Sequence, residues 1–239
     1  MTKKAINQKS KFDEELLNII EPKFVFKDRP INRFNIVKNK NDNNQTDKIE
    51  LLKELKKQIN SIENCNLKDN SQNLVLGDGN INSPIMLIGE APGIEEDKSN
   101  TTFKGEVGEL LNKMLFAIGL KRQNIYCTYV VNFRLPEDRK PMSQEIKRYS
   151  VFLKEHISII NPKIIILMGS SAMEAVTGIN SKISSERGKW QETILKNKTY
   201  PVMISFNPSY LIRFPENKKY SWEDLKKIKK KITEMKIII

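Results

Sequence analysis

Ile85-Met86-Leu87-Ile88-Gly89-Glu90-Ala91-Pro92-Gly93 is the stretch whose reading decides the fold. Four apolar residues in a row make a short strand buried on both faces, because a strand with one wet face alternates apolar with polar. The run stops at Gly89. Two glycines and a rigid proline then form a loop that brings backbone amides close to a ligand, although an ordinary strand-to-helix turn with a solvent-facing Glu90 has the same composition. Beyond it, Val107, Leu110, Leu111, Met114, Leu115 and Ile118 recur at helical spacing over residues 105–119. The unit is strand, loop, helix.

The same alternation repeats outward. Strands are predicted at 125–131, 163–168 and 202–205, and helices at 143–160, 170–178 and 221–236, the last one basic. Ser143 with Glu145 suits a helix start. The pattern predicts an α/β fold of three layers, α/β/α, with a central, mostly parallel four-stranded sheet. In such sheets ligands bind beyond the carboxyl ends of the strands, where the loops after Ile88, Val131, Met168 and Ser205 converge.

Upstream the chain changes character. None of the ten glycines precedes Gly77, and Lys, Asn, Asp and Glu dominate the early residues. We therefore divide the chain into a polar N-terminal annex, residues 1–75, and a domain, residues 76–239. Within the annex, Thr46 is positioned to cap a helix carrying Ile49, Leu52, Leu55, Ile59 and Ile62, and residues 36–47 read as a polar linker.

Across 239 residues, 41 Lys and Arg against 29 Asp and Glu give a formal charge of +12, the footprint of a polyanion binder or of a heavily solvated surface. The two cysteines, Cys65 and Cys127, exclude an intrachain disulfide framework or a four-thiolate metal site. No run of 18 or more apolar residues occurs, and the start, Met1-Thr2-Lys3-Lys4, lacks the apolar stretch of a secretory signal, so a cytoplasmic location is expected.

Two further segments carry chemistry. Glu95, Glu96 and Asp97 read as a solvated helix start favoured by the helix dipole. Phe103 follows, a core aromatic or a platform for a base taken out of its stack. In Phe206-Asn207-Pro208-Ser209-Tyr210-Leu211-Ile212-Arg213, the Asn207 amide is a donor for a base carbonyl, and Ser209 and Arg213 are phosphate contacts. Either loop alone is also an ordinary turn. Neither a GxGxxG nor a P-loop signature occurs, which argues against a mononucleotide site.

Taken in order and spacing, Gly89–Gly93, then Phe103-Lys104-Gly105-Glu106-Val107-Gly108, then Arg134-Leu135-Pro136-Glu137-Asp138-Arg139-Lys140-Pro141, then Asn207 to Arg213 resemble family 4 of the uracil-DNA glycosylase superfamily. Arg187-Gly188-Lys189-Trp190 and residues 218–225 extend the match to roughly residues 62–226. The resemblance implies a DNA-repair enzyme, expected to be a monomer, that flips a damaged base (uracil by default) out of single-stranded or duplex DNA. Water then hydrolyses the N-glycosidic bond. It places Gly89, Glu90 and Ala91 around the base and Phe103 against its face. Lys189, with Lys182, Lys218 and Lys219, joins the candidate phosphate contacts.

Three departures accompany the resemblance. The family's second loop usually begins with histidine, whereas Asn207 can donate a hydrogen bond but cannot become a cation. An asparagine that reads the uracil edge is replaced by Tyr129, and Asn132 projects to the opposite strand face. The family's iron-sulfur cysteines fall on Ile62, Cys65, Phe133 and Tyr149, so no cofactor is expected and a packed plug takes the cluster's place. The alternatives are a member that binds DNA or a modified base without cutting, and a glycosylase of altered base specificity.

Overall fold

The computed structural model describes residues 40–63 and 65–238, and those from Asn41 onward form one compact unit. Residues 1–39, about half of the expected annex, lie outside the described residues. Helix α1 (Lys40–Asn60) and the short α2 (Asn66–Asp69) lead into β1 (Gly77–Gly79), β2 (Ile85–Gly89), α3 (Ile94–Ser99), α4 (Gly105–Ala117) and β3 (Tyr126–Tyr129). Then come α5 (Ser143–Ile160), β4 (Ile164–Met168), α6 (Ser170–Thr177), α7 (Ile183–Glu186), β5 (Trp190–Leu195), β6 (Lys198–Ser205), α8 (Pro208–Arg213) and α9 (Lys218–Glu234).

The sheet runs β1-β3-β2-β4-β6-β5. Its four inner strands are parallel, in register with Ile88 opposite Thr128 and Leu167, and Leu167 opposite Ile204. They are buried on both faces, which is why they read as unbroken apolar runs. Met86, Ile88, Ile165, Leu167, Val202 and Ile204 enter one core layer beneath α1, α5 and α6. Ile85, Leu87, Ile164, Ile166 and Met203 enter the other, beneath α4 and α9. This is the three-layer α/β/α architecture.

The sheet corrects the expected four strands to six. Both additions are antiparallel edges, β1 against β3 and β5 against β6. Gly77-Asp78-Gly79 contains no apolar residue to signal a strand, and β5 buries only Leu195 fully. An edge strand needs no continuous apolar pattern, so the hydrophobic signal misses it. Strand β3 ends earlier than expected, but Val130 and Val131 continue to donate to the carbonyls of Gly89 and Glu90 at 3.0 and 3.1 Å.

Helix α1 also differs from its sequence reading. It begins upstream of Thr46, so Thr46 is not its cap, and residues 40–47 are helical rather than linker. Leu52, Leu55 and Ile59 join the core, whereas Ile49 is exposed. Lys48 anchors the helix by donating to the carbonyls of Ile81 and Ile160 at 3.2 and 2.9 Å, the latter at the end of α5. The acidic run is corrected too: Glu96 and Asp97 are buried, and Asp97 accepts from the amides of Gln72 and Asn73. Residues leading into the sheet are thus stitched to the loop after β2. Among the described residues no helix is long and apolar enough to cross a membrane.

Candidate active site

Strand β2 lies between β3, which follows it in sequence, and β4, reached by crossing back over the sheet. The loops leaving β2 and β4 therefore separate at their carboxyl ends and open a crevice, the usual ligand position in an open α/β sheet. A cavity of about 400 Å³ lies there, lined by Glu90, Ala91, Gly93, Phe103, Tyr129, Asn207, Ser209 and Arg213 among others. The ends of β2, β3 and β6 and the segments that follow them supply this wall. All the expected base-binding and catalytic residues are gathered except Gly89, which lies directly behind Phe103 and Tyr129.

Gly89 is needed for close approach. A Cβ there would lie 2.7 Å from Phe103 Cζ and 2.8 Å from Tyr129 Cδ1, contacts that real side chains do not tolerate. The two rings pack with centroids 5.0 Å apart. Phe103 has φ +52°, a left-handed conformation that a bulky residue keeps only when its surroundings hold it. Three successive amides do the holding: Thr102 N–H donates to Asp78 at 2.6 Å, Phe103 N–H to Tyr129 Oη at 2.8 Å, and Lys104 N–H to Glu96 at 2.9 Å. The other Glu96 oxygen accepts from Gly93 N–H at 3.0 Å, so this carboxyl ties the two sides of the loop together.

Tyr129 consequently supports Phe103 from behind. Burial pushes its hydroxyl pKa well up, so the phenol stays neutral. Asn132 faces away from the cavity, as the alternation of the strand predicts, and its amide donates to the carbonyls of Val75 and Leu76.

Glu90 and Asn207 stand either side of Gly169. A Cβ at Gly169 would sit 3.4 Å from Asn207 Cβ and 4.0 Å from Glu90 Oε2, and its φ of +103° suits glycine alone. Ser171 Oγ donates to Glu90 Oε2 at 2.7 Å, while Glu90 Oε1 has no partner among the described residues. Asn207 caps α8: its Oδ1 accepts from Ser209 N–H at 3.0 Å. That bond uses the oxygen and leaves the Nδ2 hydrogens as donors, unpartnered among the described residues.

The rim is cationic. Arg139 is held by Glu145 through two bonds of 2.8 and 2.6 Å, whereas Lys140 and Arg213 line the cavity without a carboxylate partner among the described residues. Lys189 lines neither this cavity nor its neighbour; it faces Glu186 at 3.8 Å. Sequence reasoning passed over Ser171 and Lys140. The glycine ending β4 was the signal for the first, and the basic segment 134–141 for the second.

The positions where the resemblance implies iron-sulfur ligands do not fit such a group. Cys65 Sγ lies 3.2 Å from Tyr149 Oη, Tyr149 meets Phe133 edge-on at 6.4 Å, and Ile62 packs on the same core. One thiol hydrogen-bonded to a phenol cannot replace four thiolates. Among the described residues no group of three or more His, Cys, Asp or Glu could hold a metal ion.

A family model described as the uracil DNA glycosylase superfamily matches residues 76–228. The chain belongs to that superfamily, whose members are glycosylase-type hydrolases of N-glycosyl bonds. Within it, the chain groups with the type-4 enzymes. It is 34% identical to the type-4 uracil-DNA glycosylase of Thermotoga maritima, covering 75% of this chain and 94% of that protein. The type-4 uracil-DNA glycosylase of Sulfurisphaera tokodaii is 36% identical over 74% of this chain and 83% of its own length. That of Archaeoglobus fulgidus is 31% identical over 75% and 92%.

Proposed function

We propose that this protein removes a damaged base, uracil in the first instance, from DNA by hydrolysing its N-glycosidic bond with water and no resident metal. The flipped nucleotide enters the cavity, as it must, since the bond is inaccessible within the stack. Phe103 covers one face of the base. Asn207 Nδ2 donates to a base carbonyl oxygen, which gains negative charge as the glycosidic bond breaks, and Glu90 Oε1 orients the water that attacks the sugar. Lys140, Arg213 and Ser209 take the adjoining phosphates. The products are the free base and an abasic sugar.

The observation that supports this reading is the complementary pair across Gly169: a carboxyl oxygen of Glu90 and the amide donor of Asn207, each without a partner among the described residues, on two residues that line the cavity. A neutral amide stabilises a leaving anion less than an imidazolium does, so excision is expected to be slow and to depend on that donor. Losing a single such donor typically costs about 10²–10³-fold in rate. The test is incubation of enzyme in excess with uracil-containing single-stranded and duplex DNA, followed by alkaline cleavage at abasic sites. Strand breaks at the uracil position in the wild type, and their near-absence for Asn207→Ala, are expected.

A second reading, binding without cutting, is favoured by Tyr129. Its ring occupies the place the resemblance assigns to an edge-reading asparagine, and its hydroxyl is engaged by Phe103 N–H. Tight binding to uracil-containing DNA with no abasic site formed would select this reading.

A further inference from the structure

A second groove, of about 740 Å³, runs from the base cavity and shares Glu90, Lys140, Asn207, Ser209 and Arg213 with it. Its far wall differs in character from the cavity. Phe206, immediately before Asn207, is the root of two columns of stacked groups. In one, Arg187 lies 5.6 Å from the Phe206 ring centroid and 5.4 Å from that of Tyr220. In the other, Phe206, Tyr210 and Phe214 follow one another with centroids 5.0 and 4.9 Å apart. Each column ends in an exposed aromatic ring, Tyr220 at 42% and Phe214 at 45%.

The Tyr220 column is held through Arg187. The Arg187 guanidinium donates to the main-chain carbonyl of Tyr220 and to buried Asp224, and Asp224 also accepts from Ser205 Oγ at 2.9 Å. A ring fixed in advance loses little side-chain freedom when something stacks on it. Lys182 also lines the groove, and Lys219 Nζ lies over the Tyr220 ring, 5.0 Å from its centroid, on a flexible side chain that can give way to a base. An ordered aromatic ring with cations around it, continuous with a base cavity, has the composition of a single-strand nucleic-acid subsite.

We propose that this groove binds the nucleotide next to the flipped one in single-stranded DNA, with Tyr220 as the stacking platform for its base and Arg213 and Lys140 at the phosphate between the two. In duplex DNA that neighbour remains paired and stacked and does not reach Tyr220. The groove therefore makes the protein a preferential binder of single strands. This rests on the proposed function for the location of the flipped base, but its test requires no cleavage.

The experiment is fluorescence anisotropy with a labelled single strand carrying a central tetrahydrofuran abasic analogue, and with the same strand in duplex. The wild type is expected to bind the single strand more tightly. Tyr220→Ala should weaken single-strand binding by roughly five- to 150-fold and leave duplex binding unchanged, and Tyr220→Phe, which keeps the ring, should bind like the wild type. The alanine variant retains the main-chain carbonyl that Arg187 grips, and circular dichroism verifies its fold. Should it unfold, photocrosslinking of the wild type to a halogenated cytosine beside the abasic analogue reports instead, with attachment at Tyr220 expected. Equal affinity for both DNA forms, an equal loss on both forms in Tyr220→Ala, or crosslinks confined to residues outside the groove would overturn the proposal. Failure of uracil excision with single-strand selectivity retained would count against the proposed function alone.

Discussion

Replacing Tyr129 by Phe removes one oxygen atom from the cavity wall and keeps the ring. That oxygen is the acceptor for Phe103 N–H at 2.8 Å, and both residues are buried. A buried amide left without an acceptor costs about 1–3 kcal/mol. The loop cannot recover this readily, because Thr102 N–H and Lys104 N–H remain tied to Asp78 and Glu96 on either side. The left-handed backbone of Phe103 stores about 1–3 kcal/mol of its own, so relaxation shifts Phe103 from its present place in the cavity wall. We expect the melting temperature to fall by roughly 2–4 °C for each kcal/mol lost. Amide exchange at Phe103, followed by NMR, should accelerate by roughly five- to 150-fold while Thr102 and Lys104 keep their protection. In a DNA assay the loosened platform should raise KM more than it lowers kcat. Wild-type exchange at Phe103 together with an unchanged melting temperature would refute the idea that Tyr129 holds this loop.

Gly89→Ala should destabilise the protein by about 1–3 kcal/mol and weaken binding of a flipped base, because the new methyl group meets Phe103 and Tyr129 at 2.7 and 2.8 Å; calorimetry and DNA titration check this. His156, buried behind β3 with Nε2 2.8 Å from Tyr126 Oη, has its pKa pushed down to about 3 by burial. Between the unfolded value near 6.5 and that value, only the unfolded state takes up the proton, so stability falls as the pH falls. The loss is about 1.4 kcal/mol for each pH unit in that window, and urea midpoints for His156→Gln should show a flatter pH profile than the wild type. Arg187→Ala strips a fully buried Asp224 of its cation and should cost about 3–5 kcal/mol, read from a denaturant midpoint.

The parallel centre of the sheet was legible because strands buried on both faces write continuous apolar runs, as at Ile85–Ile88 and Ile164–Met168. The edges were not, since Gly77-Asp78-Gly79 has nothing to bury. Helix α1 was found through Leu52, Leu55 and Ile59, but its start was misplaced because a polar amphipathic helix and a polar linker share a composition until something packs against them. Glu90, Phe103 and Asn207 were singled out as candidates by loop chemistry and by the family resemblance together, and the fold brings the three to one cavity. What sequence could not reveal is connection through space. Glu96 looks like one of three solvated acids until the fold carries it to Gly93 and Lys104, and Ser171 is unremarkable until β4 places it beside Glu90. Tyr129 was legible as a departure from the family but not as a support for Phe103, because that role depends on a single hydrogen bond between residues 26 positions apart.

The central claim, that Glu90 and Asn207 form the working pair of a glycosylase, is tested most directly by measuring free base released from DNA. Protein purified from a host lacking its own uracil-excising enzyme is incubated in excess with a uracil-containing single strand, and the supernatant is assayed for uracil by mass spectrometry. The account predicts uracil release that matches abasic-site formation one for one and falls by about 10²–10³-fold in Asn207→Ala. Absence of released uracil from the wild type, or undiminished release from Asn207→Ala, would contradict it.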